Sequence, residues 1–222
     1  MDEVRLIEVK ENILADNQDL AAKLRAQLRS SRTYLLNLMS SPGSGKTSLI
    51  MRTIEHLQGR YRIGVIEADI DSTVDAEKVA AMGVKAVQLR TGGFCHLDAT
   101  MVASGLAAFD LSAFDLIIIE NVGNLVCPAE FDTGAIHNAM ILSVPEGDDK
   151  PLKYPLMFSV SQALLVNKTD YLGLSDFDMA TLKEHTKRLN PGMAIFEGSC
   201  KTGDGIEAWT EWLAAQVAAF IQ

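Results

Sequence analysis

The fold is decided by the stretch Ser40-Ser41-Pro42-Gly43-Ser44-Gly45-Lys46-Thr47, which follows the apolar run Tyr34-Leu35-Leu36-Asn37-Leu38-Met39 and precedes a segment of helical periodicity. In such a strand, loop and helix, backbone N–H groups cradle a nucleotide phosphate, the lysine reaches the β/γ oxygens and the hydroxyl holds Mg²⁺. Ser40 replaces the first glycine of the usual pattern, but Gly43 and Gly45 still let the backbone approach a phosphate. We therefore predict a phosphate-binding loop whose nucleotide-binding residues are Gly43, Ser44, Gly45, Lys46, Thr47 and Ser48.

Composition and charge limit the kind of protein. A chain of 222 residues is long enough for one α/β domain with a full core. Its 20 Lys and Arg against 29 Asp and Glu give a formal charge of −9, which disfavours nucleic acid as a partner. The sequence contains no long apolar run and does not begin like a signal peptide, so we expect a cytoplasmic protein without a membrane partner. Three cysteines favour metal binding or burial over a disulfide framework.

Strand-like and helix-like segments alternate along the chain, which is typical of a parallel sheet flanked by helices. The predicted strands are 33–39, 62–67, 86–89, 116–120, 138–144, 163–167 and 193–196. The predicted helices are 15–29, 48–58, 76–82, 97–109, 179–189 and 206–221. The polar residues 145–151 predict a mobile surface loop.

Acidic side chains follow two of the predicted strands. Asp69 lies just after the second strand, and Glu120 ends the fourth. Ligands bind where the carboxyl ends of parallel strands meet, and Mg²⁺ prefers hard oxygen ligands. We therefore expect Thr47 and Asp69 to hold Mg²⁺, and Glu120 to act near the γ-phosphate, which the N–H of Gly123 could sense. The predicted catalytic residues are Lys46, Asp69 and Glu120; the alternative is a pair of solvated strand ends.

A signal for guanine follows the sixth predicted strand, in Asn167-Lys168-Thr169-Asp170. A carboxylate at the fourth position can accept the N1–H and 2-amino hydrogens of guanine, whereas adenine would leave it unpaired at a cost of about 1–3 kcal/mol. Ser199-Cys200-Lys201, after the next strand, resembles the loop that backs guanine in GTPases, although a polar turn is the alternative. We therefore predict GTP, bound by Asn167, Lys168, Asp170, Ser199, Cys200 and Lys201.

A further group of residues is not needed to hydrolyse a nucleotide. Cys95 and His96 are adjacent at a predicted helix start, and Cys127 lies just beyond Glu120. Thiolate and imidazole ligands suit Zn²⁺ and Ni²⁺. These three ligands would need water, a backbone nitrogen or a second subunit to complete a four-coordinate site. The alternative is a free cysteine beside a structural histidine, but the position of Cys127 near the predicted γ-phosphate region favours a metal.

Four segments carry a resemblance to a known family. They are residues 40–47, Gly93-Phe94-Cys95-His96-Leu97-Asp98-Ala99, Glu120-Asn121-Val122-Gly123-Asn124-Leu125-Val126-Cys127-Pro128-Ala129 and Asn167-Lys168-Thr169-Asp170. Together they resemble the HypB family, the GTPases that help insert nickel into [NiFe] hydrogenases. The resemblance implies a P-loop NTPase fold, an α/β domain of the SIMIBI type with a mostly parallel β-sheet flanked by helices. We expect residues 32–222 to form this GTPase domain with its metal-binding loops, and residues 1–31 to form an N-terminal helical extension packed on it.

The resemblance also implies how the sites work together. In HypB proteins the residues that match Cys95, His96 and Cys127 bind Zn²⁺ or Ni²⁺ near a GTP-dependent dimer interface, and a lysine that matches Lys153 can reach the nucleotide of the partner subunit. The implied ligands are GTP, Mg²⁺ and either Ni²⁺ or Zn²⁺. The implied partners are a second copy of the chain, a HypA-type nickel protein and the hydrogenase large subunit. The given sequence has no histidine-rich tract, so we expect delivery of nickel and not its storage.

Three other functions remain as alternatives. One is a nucleotide-gated assembly scaffold in which Cys95, His96 and Cys127 hold a structural zinc. A second is a urease-accessory GTPase, although those proteins resemble a Cys-Pro-His signature and here Cys95 directly precedes His96. A third is a metabolite kinase, which would need a pocket for an acceptor and has no reason to combine a guanine signal with a Cys–His pair.

Overall fold

The computed structural model describes residues 9–69 and 74–222. Residues 1–8 of the predicted N-terminal extension lie outside the described residues. So do residues 70–73, which follow the predicted magnesium ligand Asp69.

The core of the described residues is a seven-stranded parallel sheet. Its strands are β1 (Tyr34–Ser40), β2 (Ile63–Asp69), β3 (Lys85–Arg90), β4 (Leu116–Glu120), β5 (His137–Ser143), β6 (Ala163–Asn167) and β7 (Ala194–Glu197). Across the sheet they lie in the order β3-β2-β4-β1-β5-β6-β7. All seven predicted strands are confirmed, with ends that shift by one or two residues.

Helices connect the strands. Those of the described residues are α1 (Val9–Ser31), α2 (Lys46–Leu57), α3 (Val74–Ala80), α4 (Ala99–Leu106), α5 (Cys127–Glu130), α6 (Lys150–Lys153), α7 (Pro155–Val160), α8 (Met179–Leu189) and α9 (Ile206–Ile221). The six predicted helices are confirmed, but α4 begins later than predicted because Asp98 caps it by accepting the N–H of Met101 at 2.8 Å, and it ends at Leu106. Helices α5, α6 and α7 are too short to show periodicity in sequence. No helix in the described part of the chain is long and apolar enough to cross a membrane.

Helices cover both faces of the sheet, so alternate strand side chains enter two apolar layers. One layer joins Leu36 and Leu38 of β1 to Ile54 of α2 and Trp209 of α9. The opposite layer is formed with α1 and α4 near β2 and β4, and with α7 and α8 near β5 and β6. The phosphate-binding loop joins β1 to α2, so the carboxyl ends of the central strands lie beside the start of α2.

Helix α1 packs against the second of these layers. Its residues Ala21, Leu24 and Leu28 recur at helical spacing and are buried. Gly134, in the chain that leads to β5, has a φ of +76°, and a Cβ atom there would lie 2.9 Å from the Cβ of Leu24. Helix α1 therefore lies directly on the backbone of that segment.

Polarity alone predicts a mobile loop at 145–151, but the structure shows short helical turns there. Glu146 accepts hydrogen bonds from the N–H and the hydroxyl of Ser143, at 2.8 and 2.7 Å, and also contacts the hydroxyl of Ser41. Pro151 is buried. The expected irregular loop is therefore replaced by short helical turns, in which Glu146 caps one turn and contacts the phosphate-binding loop.

Replacing Leu28 with alanine tests whether α1 is part of the folded domain. Leu28 is 0% exposed, so we expect Leu28→Ala to lower the free energy of unfolding by about 2–5 kcal/mol. The neighbouring exposed residue provides the control, Gln27→Ala, which should change stability by less than about 0.5 kcal/mol. Urea unfolding measures both. Equal stability of the two variants would contradict the packing of α1 described above.

Candidate functional site

The phosphate-binding loop is held by contacts that its sequence only partly predicts. Gly45 has a φ of +107° and precedes Lys46, the first residue of α2. A Cβ atom at Gly45 would lie 2.4 Å from Nδ2 of Asn167, so this position requires glycine. Ser40, the departure from the usual pattern, accepts a hydrogen bond of 3.0 Å from Nζ of Lys46. The serine therefore holds the lysine ammonium beside the loop.

A cavity of about 450 Å³ opens next to this loop at the carboxyl edge of the sheet. Its wall includes Lys46, Thr47, Glu67, Asp69, Glu120 and Gly123. The structure thus brings all three predicted catalytic residues to one cavity, together with the glycine expected near the γ-phosphate. Asp69 lies at the exposed end of β2.

Glu67 also lines this cavity, in the same acidic segment as Asp69, the residue that the sequence favours there as a ligand of Mg²⁺. It is buried within β2, and the register of β2 on β4 places it beside Glu120. Burial, and then the negative charge of Glu120, raise the pKa of Glu67 to about 10, so its carboxyl group is neutral at pH 7. A carboxylate inside an otherwise apolar strand, Ile63-Gly64-Val65-Ile66-Glu67, is the sequence signal that could have identified it.

The two carboxyl groups of Glu67 and Glu120 face the first residues of α2. Thr47 donates a hydrogen bond of 2.9 Å from its hydroxyl to Glu120. One oxygen of each carboxyl group is buried and has no hydrogen-bond partner among the described residues. Burial lowers the pKa of Lys46, and the charge of Glu120 opposes that shift. Hard oxygen donors gathered beside a lysine and a threonine hydroxyl fit a hydrated Mg²⁺ with phosphate.

The predicted guanine-binding segments meet behind the phosphate-binding loop. Asn167 donates to the carbonyl of Ser44 at 2.8 Å and accepts from the N–H of Cys200 at 3.0 Å. Lys168, which has a φ of +61°, donates from Nζ to the carbonyl of Gly43 at 2.7 Å. One short segment after β6 therefore connects the phosphate-binding loop to the loop after β7.

Asp170 is oriented by residues of the loop after β7. Its Oδ1 accepts a hydrogen bond of 2.6 Å from the hydroxyl of Ser199, and its Oδ2 lies 3.8 Å from Nζ of Lys201. Cys200 is buried, and burial raises the pKa of its thiol to about 11, so its side chain is not poised for reaction. The contribution of Cys200 to this loop is its backbone N–H.

Cys95, His96 and Cys127 form a cluster whose ligand atoms all lie within 4.8 Å of one another. The Sγ of Cys95 is 3.9 Å from Nδ1 of His96. Two thiolates on one zinc ion are at most about 4.6 Å apart, so small side-chain rotations suffice to bring these donors around one ion. The residues therefore fit a soft or borderline divalent metal.

The pKa shifts of His96 and Cys127 suit a site that loses protons when it binds a metal. Partial burial lowers the pKa of His96, which favours the neutral imidazole that binds metals. A hydrogen bond with the Cys95 thiol raises the pKa of Cys127. Because a thiol must lose its proton to bind a metal, metal affinity at this cluster should rise with pH.

Two neighbours, neither predicted from sequence, support the cluster. The ring of Phe131 stacks on His96 with centroids 3.9 Å apart and an interplanar angle of 19°. Asn124 donates to the carbonyl of Cys95 at 3.3 Å and accepts the N–H of Val126 at 2.9 Å. These contacts join the segment around residue 95 to the segment around residue 127.

A single loop connects the cavity to the metal cluster. Glu120 and Gly123 line the cavity, and Cys127 follows within the same loop. Lys153, in contrast, pairs with Asp149 at the surface of α6 and is not among the described residues that line this cavity. The structure therefore brings together most of the predicted site residues within one chain, and leaves Lys153 apart from them.

The comparisons with known proteins agree with this arrangement. A family model described as the CobW/HypB/UreG nucleotide-binding domain matches residues 34–197. The hydrogenase maturation factor HypB of Azotobacter vinelandii is 47% identical over 96% of this chain and 70% of its own length. The chain belongs to the HypB family. The family predicted from the sequence motifs is confirmed.

Two more relatives extend the comparison. The hydrogenase/urease maturation factor HypB of Helicobacter pylori strain J99 is 39% identical over 93% of this chain and 86% of its own length. A crystal structure of HypB from Helicobacter pylori in complex with nickel superposes with a TM-score of 0.88 at 36% identity, covering 93% of this chain and 97% of that one. The fold of a nucleotide-binding P-loop protein is confirmed, and the chain is related to hydrogenase maturation factors.

Substituting Glu67 with glutamine tests the buried carboxyl pair. The pKa of Glu67 is higher in the folded protein than in the unfolded chain, so the folded state binds more protons above pH 4.5, and its stability falls as pH rises. Glu67→Gln removes this loss. Without nucleotide or metal, we expect the free energy of unfolding of the variant to exceed that of the wild type by about 1–3 kcal/mol at pH 8, and by much less at pH 5.

Urea unfolding at pH 5, 6.5 and 8, with a chelator present, measures this difference. The control is Glu184→Gln, which neutralises an exposed carboxylate on α8 and should leave the pH dependence of stability close to that of the wild type. Parallel pH profiles for the wild type and Glu67→Gln would contradict a raised pKa of Glu67.

Proposed function

We propose that this chain is a GTP-hydrolysing metallochaperone that delivers nickel during the maturation of [NiFe] hydrogenase. GTP draws two copies of the chain together and rearranges the loop from Glu120 to Cys127, and hydrolysis resets it. One observation carries the proposal: a single loop runs from the nucleotide cavity into the Cys95, His96 and Cys127 cluster. The similarity to hydrogenase maturation factors and to a homologue crystallised with nickel supports it.

In this proposal the phosphate-binding loop and the carboxyl ends of β2 and β4 carry the hydrolysis. Lys46 neutralises phosphate charge, and Glu120 acts on the γ-phosphate side of the cavity. Thr47 and Asp69 would hold Mg²⁺, which would offset the negative charge of the phosphate. Ligand binding replaces the Thr47 to Glu120 hydrogen bond of the free protein, so Glu120 becomes available to the nucleotide.

Residues near the metal cluster support the proposed dimer. Phe94 and Val126 flank the ligands and are 56% and 51% exposed. Exposed apolar side chains next to a site with only three ligands suit an interface between two copies, because the partner can cover them and supply further donors. Lys153 lies at the surface in an exposed ion pair with Asp149, from which it can turn toward the nucleotide of the partner subunit.

The enzyme that receives the nickel is the part of the proposal for which there is a second candidate. A Helicobacter pylori relative is named as a hydrogenase and urease maturation factor, so delivery of nickel to urease is a second candidate function. The two share the same nucleotide and metal chemistry. Transfer of nickel from the loaded protein to metal-free hydrogenase large subunit and to metal-free urease, measured side by side, distinguishes them.

An asparagine at position 170 tests the selection of guanine. Asp170 accepts the hydroxyl of Ser199 through Oδ1, and a carboxylate keeps further lone pairs that can accept the N1–H and the 2-amino group of guanine. Asp170→Asn replaces one acceptor by a donor that repels those hydrogens. We expect the affinity for GDP to fall by a factor of about 10–100. The affinity for xanthosine diphosphate, which has a carbonyl in place of the 2-amino group of guanine, should rise.

Fluorescent nucleotide titration measures these affinities. The control is Asp204→Asn, which changes an exposed acid in the turn after Lys201 and should keep the affinity for GDP. Equal binding of GDP and ADP by the wild type, unchanged in Asp170→Asn, would contradict the assignment of guanine.

Loss of either cysteine tests the nickel site. Each of Cys95→Ala and Cys127→Ala removes one of three clustered donors, so we expect nickel affinity to fall at least about 10-fold. Competition with a chromophoric chelator measures affinity, and light scattering with metal analysis, with and without a GTP analogue, measures dimerisation and bound metal. His56→Ala, which removes an exposed histidine on α2, is the control.

Three outcomes separate the proposal from its alternatives. Weaker nickel binding in both cysteine variants, with dimers only in the presence of the GTP analogue, supports the metallochaperone. Unchanged stoichiometry and affinity for nickel in both variants would instead favour a scaffold with structural zinc. Formation of GDP only when an acceptor molecule is supplied, with the phosphate recovered on that acceptor, would favour a kinase.

A further inference from the structure

The three candidate metal ligands lie on two segments that are distant in sequence. Cys95 and His96 precede α4, whereas Cys127 begins α5, which ends shortly before Asp132. The cluster can form only if these two segments keep a fixed separation. Helix α1 makes hydrogen bonds to both of them.

The side chain of Asn17 on α1 is the group that touches both segments. It is 8% exposed. Its Oδ1 accepts the N–H of Ala99 at 2.8 Å, and its Nδ2 donates to the carbonyl of Asp132 at 2.9 Å. The N–H of Ala99 belongs to the first turn of α4, where no acceptor exists within the helix. One planar amide therefore caps α4 and fixes the chain that follows α5.

A second side chain of α1 strengthens the hold on the segment after α5. Arg25 forms an ion pair with Asp132 and donates from Nε to the carbonyl of Ala135 at 3.0 Å. Asp132 also accepts the N–H of Gly134 at 2.9 Å. Residue 132 is thus bound through both its backbone and its carboxylate.

The position of Asp132 affects the metal ligands through the preceding residue, Phe131. Phe131 directly precedes Asp132 and stacks on the ring of His96. Asn17 therefore acts on His96 by two routes, one through Ala99 and the start of α4, and one through Asp132 and Phe131. Outer contacts of this kind orient ligands and tune the affinity of a metal site.

We propose that Asn17 is a positioning residue for nickel, which sets the separation of the Cys95–His96 and Cys127 segments and thereby the affinity of the cluster. The inference rests on the proposed function, because it takes those three residues as nickel ligands. It assigns to the N-terminal helix a role in metal binding beyond its packing on the domain.

The test compares two variants of Asn17 in the full chain. Asn17→Ala removes both hydrogen bonds, and we expect its affinity for Ni²⁺ to fall about 10–100-fold. Asn17→Asp keeps the acceptor for Ala99 but cannot donate to Asp132, so it should lose affinity to a smaller extent. Competition with a chromophoric chelator, with NiCl₂ as the only added metal, gives both values. The thiolate-to-nickel absorption band reports the geometry of the bound metal.

Matched controls separate positioning from general destabilisation. Gln18→Ala changes an exposed neighbour on the same helix. Asn190→Ala removes a half-buried amide at the end of α8, where the side chain donates to the carbonyls of Phe158 and Ser161. This substitution should lower stability while nickel affinity stays at the wild-type value. Fluorescent GDP titration confirms that each variant retains its nucleotide site.

A double-mutant cycle with Cys127 tests the coupling directly. Without Cys127 the remaining ligands, Cys95 and His96, lie on one segment, so the separation of the two segments matters less. We expect the loss caused by Asn17→Ala to be at least about threefold smaller in the Cys127→Ala background than in the wild type. An equal loss in both backgrounds would indicate only a structural effect and would overturn the inference.

The remaining outcomes are equally decisive. Wild-type nickel affinity and an unchanged absorption band in both Asn17 variants, alongside weak binding by Cys127→Ala, overturn the role of Asn17 and leave the proposed function standing. Unchanged affinity in Cys95→Ala and Cys127→Ala overturns the proposed function itself. Weakened binding in both Asn17 variants, with normal binding in Asn190→Ala, supports the inference.

Discussion

The parallel pairing of β1 with β4 on one side and β5 on the other is the constraint on which the rest of the structure depends. Leu38 of β1 lies opposite Glu120, so the phosphate-binding loop and the loop after β4 leave the sheet at the same edge. The register of β5 and β6 brings Asn167 to that edge as well. A change of one residue in any of these registers would turn the strand side chains to the opposite face and separate the groups that form the cavity.

The same register places an unfavourable interaction at the site. Glu67 and Glu120 lie side by side, buried, and only one of them can readily carry charge in the free protein. A core of this kind could be more stable with apolar residues at both positions. Residues that lower stability at a cavity while supplying oxygen donors to phosphate and metal are typical of functional sites.

The metal cluster depends on contacts across the fold more than the nucleotide site does. Its ligands come from two segments that meet through Phe131 and Asn124, and both segments are bonded to α1. The chain from Glu120 to Cys127 connects the cavity directly to this cluster. Membership of the HypB family gives this connection a biological setting, since relatives are named for the maturation of hydrogenases.

The sequence by itself determined the seven strands, the longer helices and the phosphate-binding loop, and it supplied the hypotheses of a guanine site and of Cys–His metal ligands, because periodicity and short motifs are local properties. Only the tertiary structure decided that Glu67 pairs with Glu120, that residues 145–151 cap helical turns, and that Asn17 contacts both segments of the metal cluster. The reason is physical. Register, helix packing and hydrogen bonds between distant residues are set by how the whole chain folds, and no local pattern encodes which distant partner a side chain meets.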